Sequence, residues 1–100
     1  MASALSDLEI QRALGQLPGW ARRGGALTKS YRVRTFRAAA DLVMRIAEVA
    51  ERRAHYPDVD VRGTTVTCTL TTPAAGGVTQ DDLDLAGAIE SVAAQSQAGK

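Results

Sequence analysis

The chain has 100 residues, of which 45% are hydrophobic and 23% are charged. This length accommodates one hydrophobic core and leaves no room for a second, so we expect a single domain over residues 1–100. The 12 Lys and Arg residues nearly balance the 11 Asp and Glu residues, which gives a formal net charge of +1. So small a charge excludes a general attraction to nucleic acid and predicts no direct nucleic-acid partner.

The single cysteine, Cys68, excludes an internal disulfide and a metal site built from several cysteines, and it is typical of a reducing compartment. The N-terminal sequence MASALSDLEIQ lacks the basic start and apolar run of a secretion signal. Charged residues interrupt the longest apolar stretches, so no membrane span is predicted. We therefore expect a cytoplasmic protein that does not contact a membrane.

The first predicted element is a short helix over residues 7–16. Ser6 and Glu9 have the spacing of a capping box, and Ile10 and Leu14 follow at helical spacing. Pro18 ends this helix. The Gly24-Gly25 pair then separates two short segments that predict a β-hairpin, with Trp20 in the core.

Thr35 can cap a long helix that runs to about residue 54. An apolar stripe of period 3.6 predicts the face of this helix that packs against the core. The stripe consists of Phe36, Ala39, Ala40, Val43, Ile46, Ala47 and Ala50. Pro57 ends the helix, because the residue before a proline disfavours helical geometry.

A second hairpin follows this helix. Val59 and Val61 alternate with charged residues, Gly63 supplies a turn, and the sequence TTVTCTLTT strongly favours a strand. Thr79 is then the predicted N-cap of a last helix that reaches about residue 95. Asp82 lies in its first turn, where the helix dipole favours negative charge.

The predicted order of elements is therefore α-β-β-α-β-β-α. Strands joined as hairpins, with helices between and around them, predict an α+β fold. We expect one four-stranded antiparallel sheet with three helices on one face.

The only histidine, His55, follows the long helix in the segment RRAHYPDVDVRG. Histidine exchanges protons near neutral pH more readily than other side chains, so His55 is a candidate catalytic residue. Glu51 lies one helical turn earlier and could orient its ring. Two alternatives stay open at this point: His55 as a helix C-terminal residue whose charge suits the dipole, and Glu51 as a solvated surface acid.

A longer pattern surrounds these residues. It runs Glu51-x-x-x-His55-Tyr56-Pro57-Asp58, then the threonine-rich strand, then Gly76-Gly77-Val78-Thr79-x-x-Asp82-Leu83-x-Leu85-Ala86, with Gly19-Trp20 near the first hairpin. From about residue 8 to residue 93, the sequence resembles the pterin-4a-carbinolamine dehydratases, also known as dimerisation cofactors of a homeodomain transcription factor.

The resemblance implies an enzyme that removes water from a 4a-hydroxytetrahydropterin during tetrahydrobiopterin recycling. This reaction gives a proton to the leaving hydroxyl and takes one from a ring nitrogen, without a metal or an organic cofactor. The resemblance also implies a pterin-like ligand and a homodimer or homotetramer. Carried onto this chain, it assigns catalytic roles to His55, Glu51 and Tyr56. The implied substrate-binding residues are His55, Tyr56, Pro57, Asp58, Thr72, Pro73, Ala74, Ala75 and Asp82.

Two of the three histidine positions of the family hold other residues here, namely Tyr56 and Pro73. Tyrosine is a much weaker base than histidine at neutral pH, and proline has neither a titratable group nor an N–H. General acid–base catalysis contributes typically ~10²–10⁴-fold, so we expect weakened or lost dehydratase activity. The alternatives are a noncatalytic scaffold that contacts a protein partner, as a dimerisation cofactor or a Rubisco assembly factor does, and an enzyme repurposed for another small molecule.

Overall fold

The computed structural model describes residues 3–97. Its elements follow the predicted order, and the predicted fold class is confirmed. The elements are α1 (Asp7–Leu14), β1 (Ala21–Arg23), β2 (Ala26–Arg32), α2 (Phe36–Arg53), β3 (Asp58–Arg62), β4 (Thr65–Leu70) and α3 (Gln80–Gln97), with a 3-10 turn at Pro73–Ala75 before α3. All strand pairs are antiparallel, in the order β1-β2-β4-β3.

Local side-chain hydrogen bonds explain where the first two helices begin. The Ser6 hydroxyl accepts a hydrogen bond from the Glu9 amide, and the Glu9 carboxylate accepts one from the Ser6 amide, which completes the predicted capping box. The Thr35 hydroxyl accepts from the Ala38 amide at 2.9 Å. Both N-caps therefore lie where the sequence predicts them, although α1 ends at Leu14, earlier than predicted.

The core lies between one face of the sheet and the helices. Leu27, Val66 and Leu70 are fully buried on the inner face of the sheet, and Trp20 is buried as predicted. The helices bury Ile10, Leu42, Ile46, Leu85 and Ile89 against them. None of the helices that the structure describes combines the length and the apolar content that a membrane crossing requires.

The buried face of α2 differs in part from the prediction. It consists of Ala39, Leu42, Ile46, Val49 and Ala50. Phe36, Ala40 and Ala47 were predicted to be buried but are exposed, and Val43 is only partly buried.

Helical period alone could not choose between the two adjoining apolar faces of α2. Burying Leu42 and Val49 removes more apolar area from water than burying Ala40 and Ala47, so the larger side chains decide the packing. A second apolar face is left outside, which we call the outer stripe of α2: Phe36, Ala40, Val43, Met44 and Ala47. Phe36 is 65% exposed and Met44 is 66% exposed.

The Glu90 carboxylate connects α3 to the sheet and to the turn before β1. The Glu90 carboxylate accepts hydrogen bonds from the Trp20 indole N–H at 3.1 Å and from the Tyr31 hydroxyl at 2.5 Å. The Lys29 ammonium forms an ion pair with the same carboxylate oxygen and donates to the Pro18 carbonyl at 2.7 Å. We call these side chains (Trp20, Lys29, Tyr31 and Glu90) the Glu90 cluster.

Two features favour glycine at position 19, beneath this cluster. Its φ of +84° is a conformation that other residues rarely adopt, and a Cβ there would approach the Lys29 side chain to 2.7 Å. The Gly19-Trp20 pair of the sequence pattern therefore has a structural role, because it lets Lys29 pass over the turn and brings the indole to Glu90.

Burial and the contacts within the Glu90 cluster shift the pKa values of Glu90 and Tyr31. Burial favours the neutral acid, but hydrogen bonds from Lys29 and Tyr31, together with the Lys29 charge, outweigh it and hold the pKa of Glu90 below its usual 4.5. Burial and the adjacent Glu90 carboxylate raise the pKa of Tyr31 far above its usual 10.0.

The lowered pKa of Glu90 predicts an acid-sensitive part of the stability. Since the folded pKa lies below the unfolded value, the contribution is complete above about 4.5 and is lost as the pH falls through the folded pKa. We expect Glu90→Gln to lower the free energy of unfolding by about 1–3 kcal/mol near neutral pH, and by much less in acid, in urea denaturation. Glu48→Gln, at an exposed site on α2, is the control; an equal loss for Glu90→Gln at both pH values would contradict this assignment.

Ala54 ends α2 in the left-handed conformation, with φ 51° and ψ 38°. Among residues 3–97 it is the one non-glycine residue with a positive φ. This conformation costs an L-residue roughly 1–2 kcal/mol. The left-handed turn also lets the His55 amide donate to the Ala50 carbonyl at 3.2 Å, so the strain lies directly before the candidate catalytic residue.

Relieving this strain predicts a more stable protein. We expect Ala54→Gly to raise the free energy of unfolding by about 0.5–1 kcal/mol, because glycine adopts the left-handed conformation without steric cost. The matched control is Ala94→Gly at an exposed helical position of α3, which we expect to lower it by about 0.5–1 kcal/mol. Urea denaturation measures both changes. Changes of opposite sign in the free energy of unfolding would support the assignment, and a decrease for both variants would contradict it.

Candidate active site

His55 is held by the first turn of α3. Its side chain is 18% exposed, and its Nε2 lies 2.5 Å from Oδ1 of Asp82. The two residues are 27 positions apart in the chain, and Asp82 is fully buried. The end of α2 and the start of α3 therefore meet at a histidine–carboxylate pair.

The other oxygen of Asp82 accepts several hydrogen bonds. Its Oδ2 accepts from the Thr72 hydroxyl at 2.7 Å and from the Thr79 amide at 2.8 Å, with the Thr79 hydroxyl at 3.4 Å. A buried carboxylate needs such donors, because leaving it unpaired away from water is costly. Asp82 thus joins the end of β4 and the N-cap of α3 to His55.

These contacts fix the tautomer of His55. An ionised carboxylate only accepts hydrogen bonds, and Oδ2 of Asp82 accepts from the Thr72 hydroxyl and the Thr79 amide. We therefore assign the hydrogen between Oδ1 and His55 to Nε2. In the neutral ring the lone pair is then on Nδ1. Nδ1 has no hydrogen-bond partner within residues 3–97, and no buried polar side-chain atom there lacks a partner, so Nδ1 is accessible.

A short loop brings the two threonines together. Thr72 and Gly77 form an isolated antiparallel bridge, in which the Thr72 amide donates to the Gly77 carbonyl at 3.0 Å. Gly76 makes the turn with φ +80°. As a result the hydroxyls of Thr72 and Thr79 lie 2.9 Å apart, on the same side of the Asp82 carboxylate.

The remaining predicted site residues fall into two groups. Glu51, Tyr56 and Pro57 line a shallow apolar groove with Val43 and Val59, beside the outer stripe of α2. Tyr56 is 61% exposed there. Within residues 3–97 the carboxylate of Glu51 forms neither a hydrogen bond nor an ion pair with His55, and the orienting contact comes from Asp82 instead.

The second group lies near the end of β4. Pro73 and Ala74 are exposed and Ala75 is partly buried in the 3-10 turn next to Thr72. Asp58 is exposed at the start of β3, where it pairs in register with Thr69. The structure thus brings His55, Thr72 and Asp82 into one network and leaves the other candidates at its edges.

The contribution of Thr79 to this network was not predicted. The sequence identified Thr79 only as an N-cap, whereas its amide also binds the Asp82 carboxylate. The spacing Thr79-x-x-Asp82 is that of an N-cap and its N3 residue, which is the signal that could have revealed the contact. In the part of the chain that the structure describes, no group of three His, Cys, Asp or Glu side chains could hold a metal ion.

Comparisons with known proteins agree with this architecture. The family model described as Pterin 4 alpha carbinolamine dehydratase matches residues 3–92. A relative from Roseiflexus sp. (strain RS-1) is 45% identical over 92 residues, which are 92% of this chain and 99% of the relative. One from Nocardia farcinica is 48% identical over 89% of this chain and 94% of its own length. Both carry pterin-4-alpha-carbinolamine dehydratase as their assigned name.

Two solved structures share the fold. A transcriptional coactivator/pterin dehydratase from Brucella melitensis superposes with a TM-score of 0.87 at 29% identity, over 91% of this chain and 99% of that one. A pterin dehydratase-like RuBisCO assembly factor of the alpha-carboxysome gives a TM-score of 0.64 at 18% identity, over 75% and 89%, and shows the fold alone. With the family model and these relatives covering nearly its whole length, the chain belongs to the pterin-4a-carbinolamine dehydratase family.

Proposed function

We propose that this protein dehydrates a 4a-hydroxytetrahydropterin and that His55 alone carries the proton transfers. The observation that supports this most directly is the pairing of His55 Nε2 with the buried carboxylate of Asp82, which leaves Nδ1 accessible. A histidine held in this way presents Nδ1 in a fixed direction with its lone pair free to accept a proton, as a general base requires.

One histidine suffices for the balance of the reaction. Nδ1 accepts the proton from the ring nitrogen next to C4a, while the bond between C4a and the hydroxyl oxygen breaks and a carbon–nitrogen double bond forms. The protonated imidazole of His55 then gives the same proton to the departing hydroxide. The net loss is one water molecule, and His55 returns to its starting tautomer with Nε2 still bound to Asp82.

Asp82 then acts as a positioning residue. It is fully buried behind His55, so it sets the ring orientation and stabilises the positive charge that forms during transfer, while the substrate meets His55. We assign the walls of the substrate site to Asp58 and to Pro73, Ala74 and Ala75. Glu51, Tyr56 and Pro57 line the outer groove and contribute less to substrate binding.

The missing histidines predict a slow enzyme. General acid–base groups contribute ~10²–10⁴-fold, and here one group does work that the family shares among three. Turnover of authentic 4a-hydroxytetrahydropterin should therefore exceed the uncatalysed rate, but modestly. We expect His55→Ala to return the rate to background in a stopped-flow assay that follows loss of the carbinolamine. A rate equal to background for the unmodified protein would contradict catalysis and favour the scaffold alternative.

The positioning role of Asp82 predicts a selective loss. We expect Asp82→Asn to lower kcat by about tenfold or more with a smaller change in KM, since the amide can hold His55 in the wrong tautomer. The matched control is Asp84→Asn, two residues along α3 and exposed, which leaves both constants unchanged. Equal effects of the two substitutions would show that Asp82 has no special function.

We also propose that the protein is a homo-oligomer in which α2 packs against α2 of a second copy. The outer stripe of α2 leaves two large apolar side chains, Phe36 and Met44, in water. Soluble monomers rarely leave a contiguous apolar patch of this kind uncovered.

The stripe is self-complementary in the antiparallel sense. A two-fold axis between Val43 and Met44 places Ala40 of one copy opposite Ala47 of the other. The same axis brings Phe36 of each copy to the apolar groove at Tyr56 of the other. Asp41 and Arg45, which flank the stripe, then lie within about one turn of each other across the axis, which adds charge complementarity.

This arrangement predicts which substitution breaks the assembly. We expect the unmodified protein to sediment as a dimer or tetramer, and Phe36→Glu to shift it to monomer, because a charge would enter the apolar seam. Leu8→Glu is the control, since Leu8 is 57% exposed on α1, away from the stripe. Monomer for the unmodified protein, or dissociation by Leu8→Glu alone, would contradict the assignment.

A further inference from the structure

The N-terminal segment lies across the loop that holds the active-site carboxylate. The Leu5 amide donates a hydrogen bond to the Val78 carbonyl at 2.8 Å. Ala4 lies next to Gly77, because its Cβ is 3.8 Å from the position that a Cβ on Gly77 would occupy. We call residues 4–5 the N-terminal strap.

The strap is anchored by α1, which follows it directly in the chain. The capping box at Ser6 starts this helix directly after Leu5, and the Ile10 side chain anchors the helix in the core at 1% exposed. Asp7 forms an ion pair with Arg22 of β1 at 2.7 Å. Leu5 itself packs against the core. The strap is therefore continuous with a helix that is anchored in the core.

The segment beneath the strap joins the two donors of the Asp82 carboxylate. Gly77 pairs with Thr72 through two backbone hydrogen bonds, of 3.0 and 3.3 Å. Val78 is 2% exposed and directly precedes Thr79. Gly77 and Val78 are thus connected directly to Thr72 and Thr79, and both threonines donate to the oxygen of Asp82 that does not contact His55.

We infer that the N-terminal strap is a positioning element for His55, acting through Gly77–Val78, Thr72, Thr79 and Asp82. The strap holds both donors against Oδ2, the donors hold the carboxylate, and Oδ1 holds the Nε2–H tautomer of His55. The inference concerns the tautomer, which can be measured without substrate. Its consequence for turnover rests on the proposed dehydratase function.

The chain offers a clean reporter for this inference, because His55 is its only histidine. Imidazole nitrogen spectra of the full chain, labelled with ¹⁵N, therefore report one ring. We compare a deletion of residues 2–5, which removes the strap, with a deletion of residues 2–3, which keeps it.

We expect the full chain and the shorter deletion to show the Nε2–H tautomer with a slowly exchanging Nε2 proton. The deletion of residues 2–5 should give a mixture of tautomers and exchange that is about tenfold faster, the effect of losing one hydrogen bond from the network. If this deletion unfolds, as judged from the near-ultraviolet circular dichroism of Trp20, Leu5→Gly loosens the strap while keeping its amide and should shift the tautomer in the same direction.

An unchanged tautomer and unchanged proton exchange in a folded protein without the strap would overturn the inference. If the protein dehydrates the pterin, the deletion of residues 2–5 should also lower kcat more than it changes KM. A protein without turnover that still loses the tautomer on deletion would refute the proposed function and leave the positioning role of the strap intact.

Discussion

A fully buried carboxylate, Asp82, is the constraint on which the candidate site depends. A buried charge is costly unless each of its oxygens is hydrogen-bonded, so every partner of Asp82 must be held in place. Those partners come from three separate segments: the end of α2 through His55, the end of β4 through Thr72, and the N-cap of α3 through Thr79. The requirement to satisfy one carboxylate thus defines the geometry at which three elements meet.

Two carboxylates on α3 have different structural roles. Asp82, in the first turn, organises the candidate site. Glu90, farther along, fastens the helix to β2 and to the Gly19-Trp20 turn, and its Oε1 receives donors from three other side chains. Because each carboxylate satisfies a different set of partners, the anchoring of α3 at Glu90 does not depend on His55. The first turn can therefore serve chemistry while the rest of the helix is held by the Glu90 cluster.

Features that depend on neighbours in the chain could be predicted from the sequence. The caps at Ser6 and Thr35, the two hairpins and the order of elements follow from local patterns, and the structure agrees with them. The inner face of α2 could be predicted only in part, because two apolar faces adjoin and the contest between Leu42 and Ala40 is decided by tertiary packing. The acid that orients His55 could not be predicted for a similar reason. Helical spacing predicted Glu51 as the orienting residue. The residue that contacts His55 is Asp82, which lies 27 positions away and is brought there by the fold.

The proposed proton chemistry and the proposed self-association both involve one short segment. The left-handed turn at Ala54 lets His55 point to Asp82 while Tyr56 and Pro57 line the groove beside the outer stripe of α2. Adjacent residues thus face two different surfaces. Tyr56 stands where the family resemblance implies a histidine. Tyrosine is a much weaker base than histidine near neutral pH, but its ring adds apolar area to the groove that the proposed second copy would bury. Under the two proposals, the tyrosine that weakens the proton chemistry would also strengthen assembly. The left-handed conformation of Ala54 serves both, because it directs His55 to Asp82 and Tyr56 to the groove.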